Sequence, residues 1–319
     1  MPPKPRAQPT PAEQAKRDQF LRNINTLWGV RLNNEIDNDT PPIDFKFVKE
    51  SVLGNGVFRA TEDVMLGCGC QKKYKQQYGC VYLDYCSCIE DSAEDNNGKK
   101  CFPYGASENN YRCLRQKVLN TRNHIYECNS RCDCTRKCKN RVVQHGRQVQ
   151  VEIFKTTNRG WGLRCLEDLQ KGQFVDSYRG EIITSDEANQ RGTNMTADEE
   201  NFLFDFDKFK DTEVYDPERA YVCDGRYMGS PTRFINHSCD PNCRLFTVSY
   251  NHSDRNIYEL AFFAVDDIPK GTELTFDYYD EEEETFISDE MAKDFEKEKG
   301  YRPTKCLCGK LNCRQYFFH

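Results

Sequence analysis

Two groups of cysteines carry the densest chemical signal in this 319-residue chain. The first reads Cys68-x-Cys70, Cys80, Cys86-x-Cys88, then Cys128-x3-Cys132-x-Cys134-x3-Cys138. The second closes the chain as Cys306-x-Cys308-x4-Cys313. Eighteen cysteines in a reducing compartment point to metal rather than to disulfides. Cys-x-Cys pairs such as Cys68/Cys70 and Cys86/Cys88 do not readily bond to each other but can share a zinc ion. Structural zinc takes four ligands in a closed tetrahedral site. Nine thiolates satisfy three such ions if three of the nine bridge. The terminal group has three thiols, so a tetrahedral site there needs a fourth ligand. Cys101 and Cys113 have no partner pattern and read as ordinary thiols.

A second kind of chemistry gathers between Arg233 and Cys243, which reads Arg-Phe-Ile-Asn-His-Ser-Cys-Asp-Pro-Asn-Cys. An apolar pair, Phe234 and Ile235, leads into Asn236, His237 and Ser238, so hydrogen-bonding groups sit at the end of a buried element. Asp240-Pro241 then turns the chain, because a residue before proline is pushed out of the helical region. Three more stretches accompany it in order: Arg159-Gly160-Trp161-Gly162, Arg179-Gly180-Glu181 and Glu273-Leu274-Thr275-Phe276-Asp277-Tyr278. Glycines beside Arg159 and Trp161 let a backbone approach a ligand closely. A lone histidine is usually structural, and His237 reads as a residue held by hydrogen bonds rather than a base.

In this order, and with the flanking cysteines, the four stretches resemble the SET-domain lysine methyltransferases over roughly residues 65 to 319, most closely the heterochromatin histone H3 enzymes and a fungal member among them. The resemblance implies S-adenosylmethionine bound by the backbone of Arg159, Gly160 and Trp161 and by Phe202, Arg233, Asn236, His237 and the C-terminal Phe317. Close relatives carry Tyr where this chain has Phe202. It implies Tyr278 and Tyr178 as the catalytic pair and Phe276 as the residue that sets how many methyl groups are added. It implies the three-zinc, nine-cysteine cluster, and a fourth zinc on Cys306, Cys308 and Cys313 completed by Cys243, the cysteine after Asp-Pro-Asn. The substrate is then the histone H3 tail, at lysine nine and to the trimethyl state, in nuclear chromatin with chromatin-associated partners. Phe204, Asp205, Phe206 and Asp207 alternate as a strand that could pair with an extended peptide. Asp205 or Asp207 could accept an arginine of that peptide. A solvated strand face is the competing reading.

The elements that must hold these residues are mostly short strands. Pro11 to Trp28 has a helical face of Phe20, Leu21, Ile24, Leu27 and Trp28. Val149, Val151 and Ile153, then Leu163 and Cys165, then Phe174 and Val175, read as strands, and Ala261–Val265 as a buried one. Ser185 to Arg191 reads as a helix with Ser185 as N-cap. The expected fold is mostly β with short helices: a SET β fold with knot-like threading at the active site, flanked by zinc-cysteine pre-SET and post-SET modules. The expected divisions are a disordered N-terminal segment and helix (1–40), a pre-SET module (41–146), a SET domain (147–280), a mobile linker (281–300) and a post-SET module (301–319).

Composition narrows the rest. A mean hydropathy of −0.85 and 30% charged residues fit a soluble chain. No apolar run reaches the roughly 18 residues that would span a bilayer, and Met-Pro-Pro-Lys-Pro-Arg lacks a signal-peptide core, so a location inside the cell is expected. A net charge of −6 argues against a broad grip on DNA and suits a basic partner. No Gly-x-Gly-x-x-Gly fingerprint is present, which speaks against a Rossmann methyltransferase. The alternative is a catalytically silent SET protein that binds histone tails as a scaffold. The intact Tyr178, Asn236, His237 and Tyr278 count against it.

Overall fold

Alternating apolar side chains build the body. The computed structural model describes residues 8–70, 79–80, 86–89, 99–105, 112–193, 195, 202–213, 215–279, 286–300 and 303–317. Most of the polar stretch at 90–100, most of the polar stretch at 192–201, the acidic run at 280–284 and residues 1–7 lie outside these. The helices are α1 (Pro11–Ile24), α2 (Gln116–Leu119), α3 (Ser185–Gly192) and α4 (Asp289–Lys299). In chain order the strands are β1 (Val30–Asn33), β2 (Lys46–Phe47), β3 (Val52–Leu53), β4 (Ile125–Tyr126), β5 (Val151–Lys155), β6 (Trp161–Cys165), β7 (Phe174–Tyr178), β8 (Glu181–Thr184) and β9 (Leu203–Asp205). They continue with β10 (Tyr221–Asp224), β11 (Met228–Gly229), β12 (Asn236–His237), β13 (Cys243–Ser249), β14 (Glu259–Ala264), β15 (Glu273–Phe276), β16 (Thr304–Lys305) and β17 (Tyr316–Phe317).

These strands form three principal sheets, ordered β1-β5-β6-β15-β12, β3-β8-β10-β9 and β4-β13-β14-β7, and two small ones, β11-β2 and β16-β17. Side chains from several sheets share one core, among them Val151, Leu163, Ile182, Phe262 and Leu274. Each fully buried apolar side chain of this size contributes about 1.5–3 kcal/mol. The cysteine-rich half joins that body through β4, which runs parallel to β13 with Ile125 opposite Val248.

Helix α1 starts where the sequence says it should. Thr10 and Glu13 form a reciprocal capping box, Pro11 takes the first turn, and Phe20 and Ile24 are buried. The helix stops at Ile24, short of the expected Trp28. Trp28 is 60% exposed, with the Arg147 guanidinium over its ring. Helix α3 is capped by Thr184, not by Ser185: the Thr184 hydroxyl, still in extended backbone at the end of β8, accepts from Glu187 N–H. The expected linker at 281–300 contains α4. Ser288 caps its start, and Gly300 ends it with φ 80°. Ala292 is buried with Ile287 and Tyr316.

One buried carboxylate ties distant segments of the cysteine-rich half to one another. Glu127 is fully buried and accepts from Tyr104 Oη (2.6 Å), Val142 N–H (2.8 Å), Val143 N–H (2.7 Å) and Gln144 Nε2 (2.8 Å). Removing such an acceptor leaves buried donors unpaired. Glu127→Ala should therefore cost about 3 kcal/mol in urea unfolding of the metal-loaded protein, and Glu127→Gln less. A loss below about 0.5 kcal/mol for the alanine variant would contradict this role.

Candidate functional site

The turn between β5 and β6 is closed by Thr156, whose backbone N–H and hydroxyl both donate to Gly160 O, at 2.9 and 3.1 Å. Thr156 Oγ1 also accepts from Arg159 N–H at 2.9 Å. Gly160 has φ +65°, and the space a Cβ would enter there is open. The result is a bare backbone shelf at Arg159–Trp161.

Strand β12 lies beside that shelf. It runs parallel to β15, with Asn236 opposite Thr275 and His237 opposite Phe276. Ser238 N–H continues the pairing onto Phe276 O at 3.0 Å. At the head of β15, Glu273 accepts from Arg159 Nη2 (2.5 Å) and from Asn236 Nδ2 (2.9 Å). Asn236 Nδ2 also donates to Trp161 O (3.2 Å), and Arg159 Nη1 to His237 O (3.3 Å). The Arg233 guanidinium stacks 4.2 Å from the Phe202 ring and 5.1 Å from Phe45 and Phe234. The buried Nε atoms of Arg159 and Arg233 have no acceptor among the described residues.

Next to the shelf stands an aromatic channel. Ring centroids are 4.5 Å apart for Tyr178–Phe204, 6.0 Å for Phe204–Phe276 and 4.7 Å for Phe276–Tyr278. Phe262 backs Phe276 at 4.8 Å. The phenols are anchored, with Tyr178 Oη donating to Phe202 O (2.8 Å) and Tyr278 Oη to Ile235 O (3.0 Å). Burial raises both phenol pKa values. That of Tyr278 is pushed up to about 12, against the pull of Arg233 and Arg159. Gly225 makes room for one ring, since a Cβ there would lie 2.1 Å from Tyr178 Oη.

The channel opens on a groove of about 1010 Å³ lined by Leu203, Phe204, Asp205 and Asp207 on one side and by Pro241, Leu245, Phe276 and Tyr278 among the rest. Strand β9 is the last strand of its sheet, paired only with β10 among the described residues. Asp207 pairs with Lys210 at 3.3 Å. Asp205 makes no ion pair among the described residues, and desolvation in the groove, then the charge of Asp207, raise its carboxyl pKa.

His237 is not placed as a base. Burial, with Arg314 and Arg159 nearby, pushes its pKa down to about 4, against the pull of Asp277. Nδ1 of the neutral ring accepts Tyr278 N–H at 3.2 Å. The ring proton is therefore on Nε2, 3.4 Å from Cys239 Sγ.

The nine cysteines of the first array form one buried cluster. Three sets of four have all sulfurs within 4.8 Å: Cys68, Cys70, Cys80 and Cys86; Cys68, Cys86, Cys88 and Cys128; Cys68, Cys80, Cys128 and Cys134. Cys132 lies 3.2 Å from Cys88 and Cys138 lies 3.8 Å from Cys128, sulfur to sulfur. Zn–S bonds of about 2.3 Å in a tetrahedron separate sulfurs by about 3.8 Å, so these spacings suit zinc. Cys68 recurs in all three sets and Cys80, Cys86 and Cys128 in two each, with 3.3 Å between the sulfurs of Cys68 and Cys80 and 3.4 Å between those of Cys80 and Cys128. Bridging thiolates would come from these four.

The terminal site corrects one expectation. Cys306, Cys308 and Cys313 meet Cys239, not Cys243, with Cys239 Sγ 3.7 Å from Cys306 Sγ. Cys243 opens strand β13 and is fully buried in the core, with Cys165 the thiol nearest in charge effect. Cys239 precedes the Asp240-Pro241 turn, where a side chain can reach the tail. The Phe317 side chain lies outside the described residues; its backbone pairs with Thr304 in β17. Glu273, Asp277, Gly225 and Arg314 were not singled out from sequence. Glu273 and Asp277 lie inside the Glu-Leu-Thr-Phe-Asp-Tyr stretch, which could have flagged them. Nothing local marks Gly225 or Arg314.

Substituting the two cysteines separately tests the correction. Cys239→Ser should carry one metal ion fewer than the parent by elemental analysis. Cys243→Ala should keep the parental metal content, at a stability cost of about 1–2 kcal/mol for the small cavity. Equal metal loss in both, or loss in Cys243→Ala alone, would restore Cys243 as the ligand.

Comparison with known proteins agrees with this geometry. The SET domain model matches residues 160–279 and the Pre-SET motif model residues 23–141. The chain is 40% identical to the H3 lysine-9 specific histone-lysine N-methyltransferase dim-5 of Neurospora crassa over 299 residues, covering 90% of this chain and 87% of the relative. The solved structure of the Neurospora SET domain protein DIM-5 superposes with a TM-score of 0.69 at 38% identity, covering 88% of this chain and 99% of that one. Arabidopsis thaliana SUVH6 in complex with SAM gives 0.64 at 30% identity, covering 89% of this chain and 52% of that one. By these likenesses, and by the shelf, channel and cysteine clusters described above, the chain belongs to the pre-SET/SET family of histone-lysine N-methyltransferases.

Proposed function

We propose that this chain transfers methyl groups from S-adenosylmethionine to lysine nine of the histone H3 tail, up to the trimethyl state, in the heterochromatin of the nucleus. The observation that carries the reading is the aromatic channel of Tyr178, Phe204, Phe276 and Tyr278 between a bare backbone shelf and a groove edged by β9. The name of the Neurospora relative supports the lysine and the tail, and the SAM held by SUVH6 supports the cofactor. Four zinc ions are proposed as structural: three on the nine-cysteine cluster, and one on Cys239, Cys306, Cys308 and Cys313.

The residues fit the cofactor. Arg159 and Arg233 offer guanidinium N–H groups that suit a carboxylate, and Gly160 leaves space for its backbone. Aromatic faces tolerate a sulfonium cation. When bound, S-adenosylmethionine supplies a methyl group to an in-line displacement. The chain's part would be to hold cofactor and substrate in line, the shelf binding the one and Tyr178, Phe204, Phe276 and Tyr278 lining the way of a lysine amine from the groove. The phenol oxygens, with the Ile235 carbonyl, offer polar atoms along an otherwise apolar path. An extended peptide is proposed to add to the free edge of β9, with a neighbouring basic side chain at Asp205 or Asp207.

The amine must arrive neutral, although a free lysine titrates near 10.4. Burial among aromatic rings lowers that value, and His237 cannot take the proton because its Nδ1 already accepts Tyr278 N–H. The proton therefore leaves to solvent before the amine enters. Turnover should rise with pH through the range where the amine deprotonates. It should not fall again below pH 10, because the Tyr278 phenol, pushed up to about 12, stays protonated there. Initial rates with an H3 tail peptide between pH 6 and 10 would show it, and a maximum near pH 6 would speak for an essential base. Tyr278→Phe should cut turnover by on the order of 10²-fold with cofactor affinity nearly unchanged by calorimetry.

Phe276 sets the number of methyl groups in this reading. Its ring stands 4.7 Å from Tyr278 and carries no hydroxyl to hold the amine or a water, so the amine can turn and react again. Phe276→Tyr should shift products toward mono- and dimethyl-lysine while the first transfer stays within about threefold of the parent. Mass spectrometry of an H3 tail peptide would read it, and an unchanged trimethyl fraction would exclude Phe276 as the determinant.

A further inference from the structure

Glu273 makes contacts that join every part of the cofactor shelf. Oε2 lies 2.5 Å from Arg159 Nη2, and Oε1 lies 2.9 Å from Asn236 Nδ2. The same Oε1 would lie 2.9 Å from a Cβ on Gly162. The strand is fixed in turn, since Asn242 Nδ2 donates to Glu273 O (2.8 Å) and Asn242 Oδ1 accepts Thr275 N–H (2.9 Å).

The consequence falls on the Asn236 amide. Two oxygens, Glu273 Oε1 and Trp161 O, face one end of it, at 2.9 and 3.2 Å. An NH₂ group can donate to both. A carbonyl oxygen in that place would meet two acceptors and repel them. The amide is therefore locked with Oδ1 at the other end, where it has no donor among the described residues. A locked acceptor of this kind selects a ligand that brings its own N–H.

We propose that Glu273 is the positioning residue of the shelf: by holding the Asn236 amide in one orientation, it makes Oδ1 the acceptor for the α-ammonium of the bound cofactor. This rests on the reading that the Arg159–Asn236 surface binds S-adenosylmethionine. Glu273 touches no reacting atom. Glutamine in its place has an amide that can turn its own NH₂ toward Asn236, and the orientation is no longer enforced.

The test uses the zinc-loaded full chain and two probes, S-adenosylhomocysteine and its analogue with hydrogen replacing the α-amino group. Affinities are measured by titration calorimetry, without turnover. The parent chain should prefer the amino-bearing probe. Glu273→Gln should weaken that probe about tenfold or more and leave the deaminated one within about twofold. In an Asn236→Ala background, Glu273→Gln should add less than about twofold to the loss. Equal weakening of both probes would reduce Glu273 to a general support for the shelf and overturn the proposal, as would no weakening of either. If Glu273→Gln does not fold, Glu273→Asp keeps the charge and withdraws the oxygens by one methylene. A folded Glu273→Asp with full discrimination between the probes would overturn it equally. A parent chain that binds neither probe would sink the cofactor reading itself, which is a separate result.

Discussion

The parallel pairing of Asn236–His237 with Thr275–Phe276 is the contact on which the rest of the site depends. Two residues per strand is a short ladder, and alone it would not persist. It holds because its neighbours are over-determined. Glu273 clamps the Arg159 turn at one end, and Ser238 N–H extends the ladder at the other. Several groups with a proposed role are placed by it. Asn236 and Arg159 flank the shelf, Phe276 and Tyr278 leave β15 toward the channel, and Cys239 leaves β12 toward the tail.

The same ladder couples the terminal cysteine cluster to the channel. Arg314, buried beside Cys313, pairs with Asp277 at 2.5 Å, while its own N–H donates to Cys239 Sγ at 3.4 Å. Asp277 precedes Tyr278 and also accepts Tyr279 N–H at 3.1 Å. A neutral His237 presents a donor to Cys239 and an acceptor to Tyr278 N–H. In the proposed zinc-loaded state, a thiolate at Cys239 would draw the Nε2 proton and hold that tautomer. The tail is thus joined to the backbone of the proposed catalytic residue by one ion pair and one imidazole, which gives metal at the terminus a direct mechanical route to the channel.

Much of this was legible in the sequence where a local pattern has one physical solution. Cysteine spacing marked the nine-thiol cluster, because sulfurs that close in sequence cannot disperse once buried. Alternation found β5, β6 and β7, and a continuous apolar run found β14. The four ordered stretches found the shelf and channel. What escaped depends on which way a side chain leaves the backbone. Cys239 and Cys243 are four residues apart around one turn, and either could meet the tail on spacing alone. The strand that begins at Cys243 buries its sulfur, and that pairing is a long-range event with Ala264. Helix α4 was hidden because its charged residues read as a linker, although Ser288 and Gly300 cap it cleanly. Gly225 was silent, since its necessity comes from a tyrosine 47 positions earlier in the chain that lies against it only after folding.

The distribution of charge around the channel fits the proposed mechanism, in which no general base takes part. Charged groups near it are neutralised in pairs: Arg159 by Glu273, and Arg314 by Asp277. Arg233 is held over aromatic faces instead. A carboxylate free enough to take a proton from the amine would also stabilise the ammonium form, and so raise the pKa that burial is lowering. Asp205 and Asp207 stand in the groove rather than among the rings. There they can attract a basic peptide without holding the reacting amine in its charged state. Attraction at the entrance and neutrality in the channel are opposite electrostatic demands, and neighbouring residues of strand β9 serve them, with Phe204 stacked on Tyr178 and the carboxylate of Asp205 in the groove.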